Sequence, residues 1–480
     1  MAPRWQHEST AHTVQSKPED RMSEMRKQNR FATLFRIGAL TMSSVLVLGA
    51  CSSAGPIDEQ EPDNAEGPVE RLVLPIHQSP WLDAFKEVAA LYTDETGVEV
   101  ELREFPNDEM RTTQINDVRS GSNNFDIYLL DEVWMQEFFK NDWVEPFNEV
   151  DPGYVLPPEV GTYDNMPFWN AETNASSDGE LVAAPINGNL HLFMYRKDLY
   201  DQLGMTVPTT WDEVLQAGDQ AQSSGEAEFG YSMRLQAIPG SASITFDFAP
   251  LLFSHGGDWF ADEGTDWTPA METPEAIAAA TTLSELAQLG PAETTTMGQA
   301  EAIAAIQASR SMQTHLVAAA AAQIESESDS NVAGEMGYAV VPAGGSQEHG
   351  SPGSAVWALT VPKDLPDERA QAALEFIDWI ESYDAQLLFA QNGGIPTRSD
   401  VLRSGEFEGS QAAYFEAVAD SIDHARPPLR YWFSAQMLEV TEPALGAIAS
   451  GEVSPEEGMA QLQVDLEALM TDLDLPMGEA

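Results

Sequence analysis

The chain has 480 residues, of which 23 are Lys or Arg and 78 are Asp or Glu, so its formal net charge at pH 7 is −55. Seven basic and four acidic residues fall within positions 1–51, which leaves a net charge of −58 for the rest. Nucleic acids and anionic lipid headgroups are poor partners for such a surface. Apolar residues make up 43% of the chain, so the acidity does not indicate disorder.

The N-terminal segment has the pattern of a secretion signal. A basic stretch at 25–30 is followed by an apolar run at 37–48 and then by Leu48-Gly49-Ala50-Cys51. The apolar run is shorter than the ~20 residues that span a bilayer. The end of the segment resembles the lipobox of bacterial lipoproteins, in which the cysteine receives the lipid. We therefore predict a signal peptide at 1–50, with its true start at Met22 or Met25, and a lipid anchor on Cys51.

The residues after Cys51 predict a tether followed by two lobes. Residues 51–70 are rich in Pro, Gly, Asp and Glu, which is typical of a flexible acidic tether. Cys51 is the only cysteine of the chain, so an intrachain disulfide is excluded. The roughly 410 residues beyond the tether exceed one usual hydrophobic core, which favours two.

The first folded stretch alternates strands and helices. Its apolar patterns predict a strand at 71–77, a helix at 79–96 that stops at Gly97, and a strand at 98–102. A helix at 107–120 and a strand at 125–130 follow. This alternation predicts an α/β fold with a parallel sheet and right-handed crossovers.

A second α/β block begins near Leu190. Residues 190–195 predict a strand, and the next helix begins after Thr210, whose side chain is expected to form a capping box with Glu213. Strong helical patterns follow at 274–289, 298–323, 367–381 and 454–470.

Eight short segments share their order with one family. They are FDIYLLD (125–131), WVEPF (143–147), APINGN with YRKDL (184–199), VPTTWDE (207–213), HGGDWF (255–260), WALTVPK (357–363), NGGIPTR (392–398) and ASGE (449–452). In this order the chain resembles the family 1 extracellular solute-binding proteins of sugar ABC transporters, the group similar to maltose-binding protein. The resemblance covers nearly all of residues 71–470.

The resemblance implies a two-lobed periplasmic-binding-protein (Venus-flytrap) fold of the α/β class, with discontinuous lobes joined by crossing strands. The crossings are expected near 185–193 and 353–362. Lobe I then comprises 71–186 plus 358–403, and lobe II comprises 187–357 plus 404–480. The C-terminal helices are expected to pack on the second lobe.

Three loops are expected at the binding site, because ligands of open parallel sheets lie beyond the carboxyl ends of strands. Sugars need planar polar side chains for their hydroxyls and aromatic rings for their C–H faces. The three loops supply His77, Gln78, Trp81, Asp131, Trp134, Asn187 and Asn189. By the resemblance, Asp131, Asn187, Asn189 and Trp357 match positions that usually touch sugar, and Trp259, Arg430 and Trp432 match more loosely.

Structural roles compete with each of these assignments. Asp131 could cap the following helix, the two asparagines could be turn residues around Gly188, and each tryptophan could belong to a core. Many sugar binders have an acidic or aromatic residue where Asn187 and Asn189 stand. The sequence therefore does not specify which sugar is bound.

The sequence predicts a lipid-anchored, monomeric receptor on the extracellular face of the cell membrane. It would capture a carbohydrate in a cleft between the lobes and deliver it to the permease of an ABC importer, with no cofactor, metal or catalysis of its own. A surface-anchored glycoside hydrolase is one alternative, although nucleophile-elbow, zinc-protease and nucleotide-binding motifs are missing. A lipoprotein that binds a non-sugar solute such as a polyamine is another. The excess of acidic residues predicts that salt raises the stability of the folded protein.

Overall fold

The computed structural model describes residues 68–292 and 296–478. Cys51, the predicted signal peptide and the predicted tether up to residue 67 lie outside the described residues. The strands are β1 (Arg71–His77), β2 (Glu99–Phe105), β3 (Tyr128–Asp131), β4 (Val144–Glu145), β5 (Phe168–Asn170), β6 (Ala175–Leu181), β7 (Ala184–Asn187), β8 (His191–Arg196), β9 (Phe260–Asp262), β10 (Asp266–Pro269), β11 (Gln313–Val317), β12 (Met336–Ala339) and β13 (Trp357–Pro362).

The helices confirm most of the predicted positions. They are α1 (Leu82–Thr96), α2 (Asn107–Ser120), α3 (Met135–Lys140), α4 (Phe147–Val150), α5 (Lys197–Leu203), α6 (Trp211–Ser224), α7 (Ser243–Ser254), α8 (Pro274–Gln288), α9 (Gln299–Gln307), α10 (Ala320–Ile324), α11 (Asp367–Ile380), α12 (Tyr383–Gln391), α13 (Ser399–Leu402), α14 (Gly409–Ser421), a 3₁₀ turn (Ile422–His424), α15 (Ser434–Ala449) and α16 (Pro455–Asp472). None of the helices within 68–292 and 296–478 is long and apolar enough to cross a membrane.

Local signals set several helix ends as predicted. Helix α1 ends at Gly97, whose φ of 80° is a left-handed conformation that costs glycine little. The capping box is also confirmed: Thr210 Oγ1 accepts the Glu213 N–H, and the Glu213 carboxylate accepts the Thr210 N–H.

The first lobe is built on β1, β2, β3 and β13. Strands β1 and β2 pair in parallel, as predicted. The prediction of a parallel sheet is wrong for β3, which pairs antiparallel with β13. Strand β13 also pairs antiparallel with β7 and β4. The reason is topological, since β13 lies more than 200 residues further along the chain than β3 and runs in the opposite direction.

The second lobe is built on β8, which lies between β11 and β12 and is antiparallel to both. The single helix predicted at 298–323 is wrong, because β11 separates α9 from α10. All five residues of β11 are buried, and pairing with β8 gives the strand backbone hydrogen-bond partners. Tertiary pairing therefore overrides the helix propensity of this alanine-rich stretch.

Buried apolar side chains form one core in each lobe. Phe85, Leu129 and Leu359 belong to the first-lobe core. Trp211 and Phe248 belong to the second-lobe core, which α15 and α16 complete by packing on α7 and α8. The C-terminal helices thus pack on the second lobe, as expected. A further buried cluster contains residues of both β3 and β8, so apolar packing continues between the lobes.

Candidate functional site

Three of the predicted site residues lie side by side on neighbouring strands. Trp357, the first residue of β13, lies opposite Asp131 in the pair with β3. It also lies opposite Asn187 in the pair with β7. Directly opposed residues of antiparallel strands share a face of the sheet, with Cβ atoms ~4.5–5.5 Å apart. We call Asp131, Trp357 and Asn187 the central row.

Aromatic rings surround the tryptophan of the central row. His77, the last residue of β1, stacks on Trp357 with 4.0 Å between ring centroids and 16° between ring planes. Trp134 meets Trp357 edge-on at 6.2 Å, and Trp81 meets His77 edge-on at 5.1 Å. Trp81 is 4% exposed and also packs on Phe389, so it supports this cluster from the core side. Trp134 is half-buried, which leaves part of its surface open to a ligand.

The carboxylate of Asp131 has an unusual environment. The side chain is half-buried and accepts the Val133 N–H at 3.1 Å. No ion-pair partner for it is found among the described residues. Burial raises the pKa of Asp131 to about 7, helped by the neighbouring Glu132 charge and opposed by the Val133 hydrogen bond. Near neutral pH this group therefore both accepts and donates hydrogen bonds.

Two buried nitrogen atoms beside Trp357 are left without a hydrogen-bond partner among the described residues. Asn187 is 1% exposed, and its Oδ1 accepts the Ile395 N–H at 3.2 Å while its Nδ2 has no partner. His77 is 9% exposed and its Nε2 has none either. Burial lowers the pKa of His77 to about 4, so its ring is neutral at physiological pH. A buried donor without an acceptor costs ~1–3 kcal/mol, which a bound hydroxyl would recover.

Two further predicted residues lie at the edge of this group. Asn189 is half-buried, and its Oδ1 accepts the Ala319 N–H at 3.1 Å. Gln78 is exposed, and its backbone N–H donates to the Phe105 carbonyl at the end of β2.

Trp259 lies in a hydrophobic core, which corrects the expectation that it faces a ligand. It is 0% exposed, packs on Phe248 at 5.8 Å and donates its indole N–H to the Pro428 carbonyl at 2.9 Å. Its ring and its one polar atom are therefore already engaged. Trp432, by contrast, is half-buried, its indole N–H has no partner among the described residues, and Lys140 Nζ lies 3.0 Å from its ring centroid.

The two terminal nitrogens of the Arg430 guanidinium are held by protein groups, whereas its Nε has no partner among the described residues. Arg430 is 3% exposed and donates to Glu132 Oε1 at 3.0 Å and to the Tyr163 carbonyl at 2.9 Å. Glu132 also accepts Ser354 Oγ at 2.9 Å and the Val356 N–H at 3.1 Å. Burial raises the pKa of Glu132, and the Arg430 charge opposes that rise. Glu132 was not among the predicted site residues, although it follows Asp131 directly in a polar pair after an apolar strand.

The carboxylate of Asp126, in the same apolar segment as Asp131, is already engaged by protein groups. Asp126 is 2% exposed and ion-paired with Arg369 at 2.5 Å, while it accepts the Val73 N–H at 2.8 Å. It thus joins β1 to α11. Within the described residues no group of three or more His, Cys, Asp or Glu side chains could hold a metal ion. A cavity of about 1050 Å³ bordered by Tyr92, Glu149 and Leu365 lies away from the central row.

Comparison with known proteins identifies the family of this architecture. Residues 78–387 match the sequence model described as bacterial extracellular solute-binding protein. A probable amino-acid ABC transporter periplasmic-binding protein of Sinorhizobium fredii is 24% identical over 81% of this chain and 86% of its own length. The mannitol-binding protein of Pseudomonas aeruginosa is 22% identical over 74% of this chain and 82% of its own length.

The fold is shared with solved structures of binding proteins. Maltose-bound MalE3 of T. maritima superposes with a TM-score of 0.67, at 22% sequence identity, over 83% of this chain and 99% of its own. At that identity the likeness shows the shared two-lobed α/β fold.

Proposed function

The chain belongs to the family of bacterial extracellular solute-binding proteins, and from this premise we propose that it captures a sugar or sugar alcohol between its lobes for delivery to the permease of an ABC importer. Members of the family are receptors that bind solutes for import and are not enzymes. The central row is the observation that carries the proposal. It combines a carboxylate, an amide with a free donor and an aromatic ring, which are the groups that hydroxyls and sugar C–H faces require.

The proposed site has an inner and an outer part. Asp131, Asn187 and Trp357 form its centre, and His77 and Trp134 border the same ring. Asn189 and Gln78 lie at its edge, and Trp81 supports it from the core. We leave Trp259 out of the site because its ring and indole N–H are already engaged in a core.

A neutral polyol or sugar fits this site better than an amino acid or a polyamine. An amino acid needs a cation for its carboxylate, and the Arg430 guanidinium already pairs at 3.0 Å with Glu132, which follows Asp131 directly. A polyamine needs several ionised carboxylates, whereas the pKa of Asp131 is raised to about 7. Two of the similar proteins are named for mannitol and maltose, which supports this class, although another carries an amino-acid name.

A ligand panel tests the solute class. Purified protein is mixed with D-mannitol, ribitol, maltose, D-glucose, L-amino acids and spermidine, and its thermal midpoint is measured. At 100 times its dissociation constant the cognate ligand should stabilise the protein by ~2.7 kcal/mol. Chromatography should recover the sugar unchanged and in stoichiometric amount. Stabilisation by an amino acid or spermidine, with none by the carbohydrates, would refute the proposed class.

The anchor and the domain limits complete the proposal. We propose that residues 1–50 are removed, that Cys51 carries a lipid, and that 51–70 tether a monomeric receptor to the outer face of the membrane. Two observations support the signal peptide and the anchor. The family is extracellular, and basic, apolar and small residues precede Cys51 in that order. The lobe limits 71–186 plus 358–403 and 187–357 plus 404–480 are supported by the packing of α14 on β12 and β8.

Cell fractionation tests the anchor. Wild-type protein should sediment with membranes and be released by detergent, whereas Cys51→Ser should appear in the soluble fraction or as an unprocessed precursor. If Cys51→Ser remains in the membrane fraction and detergent still releases it, the lipid does not reside on this cysteine.

A further inference from the structure

Residues 429–433 alternate between two environments. Leu429, Tyr431 and Phe433 are at most 5% exposed and belong to the second-lobe core. Arg430, between them, contacts the first lobe instead, and Trp432 contacts the first lobe while also packing against the second-lobe core. Arg430 reaches Glu132, directly after β3, and Trp432 covers Lys140 at the end of α3. The chain bends and turns here, just before α15, so one short segment is fixed in one lobe and touches the other.

Within the part of the chain that the structure describes, every acceptor of the Arg430 guanidinium comes from the first lobe. Besides Glu132, these are the carbonyl oxygens of Tyr163 at 2.9 Å and Asp164 at 2.5 Å. Both carbonyls lie in the loop that precedes β5. Hydrogen bonds that involve an ionised partner are roughly twice as strong as neutral ones. The bonds to Glu132 and to the Tyr163 carbonyl are buried, and the bond to the Asp164 carbonyl is part-buried. The contact therefore joins a second-lobe side chain to first-lobe acceptors in this structure.

The loop that Arg430 contacts has a strained backbone. Tyr163, Asp164 and Asn165 have φ values of 45°, 58° and 59°, so three successive residues other than glycine are left-handed. Such conformations persist only where the surroundings hold them, and they cluster at ligand clamps and switch regions. Arg430 supplies that support through two of the three carbonyls.

The same loop also touches the crossing between the lobes. Tyr163 is 1% exposed, and a Cβ atom added to Gly188 would lie 2.3 Å from the Tyr163 hydroxyl. Glycine at 188 is thus required by this close approach. Glu132, the charge partner of Arg430, is bonded to Ser354 and Val356, just before Trp357. The Arg430 contact is therefore continuous with both crossings and with the central row.

We propose that Arg430 is a positioning residue that holds the lobes closed over the solute, with Lys140 on Trp432 as a second and weaker contact. It raises solute affinity by raising the population of the closed state, and it does not bind the solute itself. This inference rests on the proposed function, since it concerns the closure of the same site. It replaces the expectation from sequence that Arg430 and Trp432 touch the sugar.

A cross-linking rate measures closure without any solute. If cysteine replaced Gly264 of the second lobe, its Cβ would lie 3.5 Å from that of Ala175 in the first lobe, within the range that a disulfide spans. The chain would carry Cys51→Ser, Ala175→Cys and Gly264→Cys, and an added oxidant would close the bond. Because Cys51 is the only native cysteine, the background is free of other thiols. The rate reports how often the lobes meet.

Arg430→Gln should slow this cross-linking at least tenfold, and Lys140→Gln should slow it two- to fivefold. The matched control is Arg310→Gln, which removes an arginine that pairs with Glu228 at 2.7 Å within the second lobe and should leave the rate within twofold. Circular dichroism checks that each variant is folded. If Arg430→Gln fails to fold because Glu132 is left unpaired, the double variant Glu132→Gln with Arg430→Gln removes both charges and should show the same slowing.

The outcomes separate this inference from the proposed function. If Arg430→Gln cross-links at the parent rate, Arg430 does not hold the lobes together, and a loss of affinity for D-mannitol or maltose in the same variant would make it a direct contact. If no carbohydrate stabilises the wild-type protein but Arg430→Gln still slows cross-linking, the proposed solute class fails and the closing contact stands.

Discussion

Two buried polar groups of this protein differ in how completely they are satisfied. In the second lobe, Asp247 accepts Arg234 Nε at 2.6 Å and the Arg234 N–H at 2.7 Å, and its Oδ1 lies 3.2 Å from His191 Nε2. His315 Nε2 lies 2.8 Å from the Asp247 carbonyl. None of these four side chains has a buried nitrogen or oxygen without a partner. In the central row, Asn187 Nδ2 and the adjacent His77 Nε2 both lack one.

The pKa values of the two aspartates show the same contrast. Burial alone would raise the pKa of Asp247, but the Arg234 charge and the His191 hydrogen bond outweigh it and lower the pKa to about 2. Asp131 has no such partners, so burial raises its pKa to about 7. A satisfied polar group holds a fold together, whereas an unsatisfied one at a cleft has capacity left for a ligand.

The largest expected effect is on the satisfied group. Asp247→Ala removes the acceptor of Arg234 and leaves a buried guanidinium unpaired, which should lower the free energy of unfolding by ~3–5 kcal/mol. Chemical denaturation measures this. Carbohydrate affinity per folded molecule should be unchanged. An Asp247→Ala protein as stable as wild type would show that the network does not stabilise the lobe.

Trp357→Ala should lower carbohydrate affinity, the property that Asp247→Ala leaves unchanged. Loss of the ring should weaken carbohydrate binding at least tenfold, ~1.4 kcal/mol, because buried aromatic anchors dominate binding energies. Titration calorimetry with the carbohydrate found in the panel measures it. Trp259→Phe is the matched control, since it alters a core tryptophan and should lower stability while leaving affinity intact. Loss of affinity in Trp259→Phe but not in Trp357→Ala would move the site.

Asp131→Asn sharpens the contrast between the two aspartates. Binding should weaken by roughly three- to tenfold, since hydrogen bonds that involve a charged group are the stronger ones. The unliganded protein should become more stable above pH 7. The pKa of Asp131 in the folded protein, about 7, lies above its ordinary value of 3.8. The stability that goes with the protonated carboxyl is therefore complete below pH 3.8 and is lost as the pH rises through 7. Asparagine removes this loss.

Thermal unfolding between pH 4 and pH 8 checks the sign. Wild type should lose stability relative to Asp131→Asn as the pH rises over this interval. Asp247, with a lowered pKa, contributes stability that is complete above pH 3.8 and is lost as the pH falls through about 2. A difference between wild type and Asp131→Asn that does not change with pH would contradict the raised pKa of Asp131.

The smallest expected effect is that of salt on the stability deficit of Asp247→Ala. The residues after Cys51 carry a net charge of −58, and their acidic side chains repel one another. Salt screens this repulsion, so wild-type stability should rise between roughly 0.1 and 2 M sodium chloride. Buried pairs are screened much less, so the deficit of Asp247→Ala should be the same at both concentrations. Equal denaturation midpoints of wild type at both concentrations would show that self-repulsion does not limit its stability.

Local patterns in the sequence determined much of this molecule. The helix ends at Gly97 and at the Thr210–Glu213 capping box depend on neighbouring residues, so they could be predicted from the sequence. The order of strands and helices in the first lobe follows from apolar periodicity for the same reason. The residues of the central row were named from the ends of strands and from the family resemblance, and their role in binding stays a prediction.

Only the tertiary structure decided which candidates came together. Trp259 and Trp357 were both candidates for ligand contact, yet one is enclosed by a core and the other lies between Asp131 and Asn187. The sequence of β11 predicts a helix, but in the structure this segment is a strand paired with β8. Arg430 meets Glu132 across 298 residues of chain. Each of these depends on contacts between segments far apart in the chain, and periodicity within one segment does not encode them.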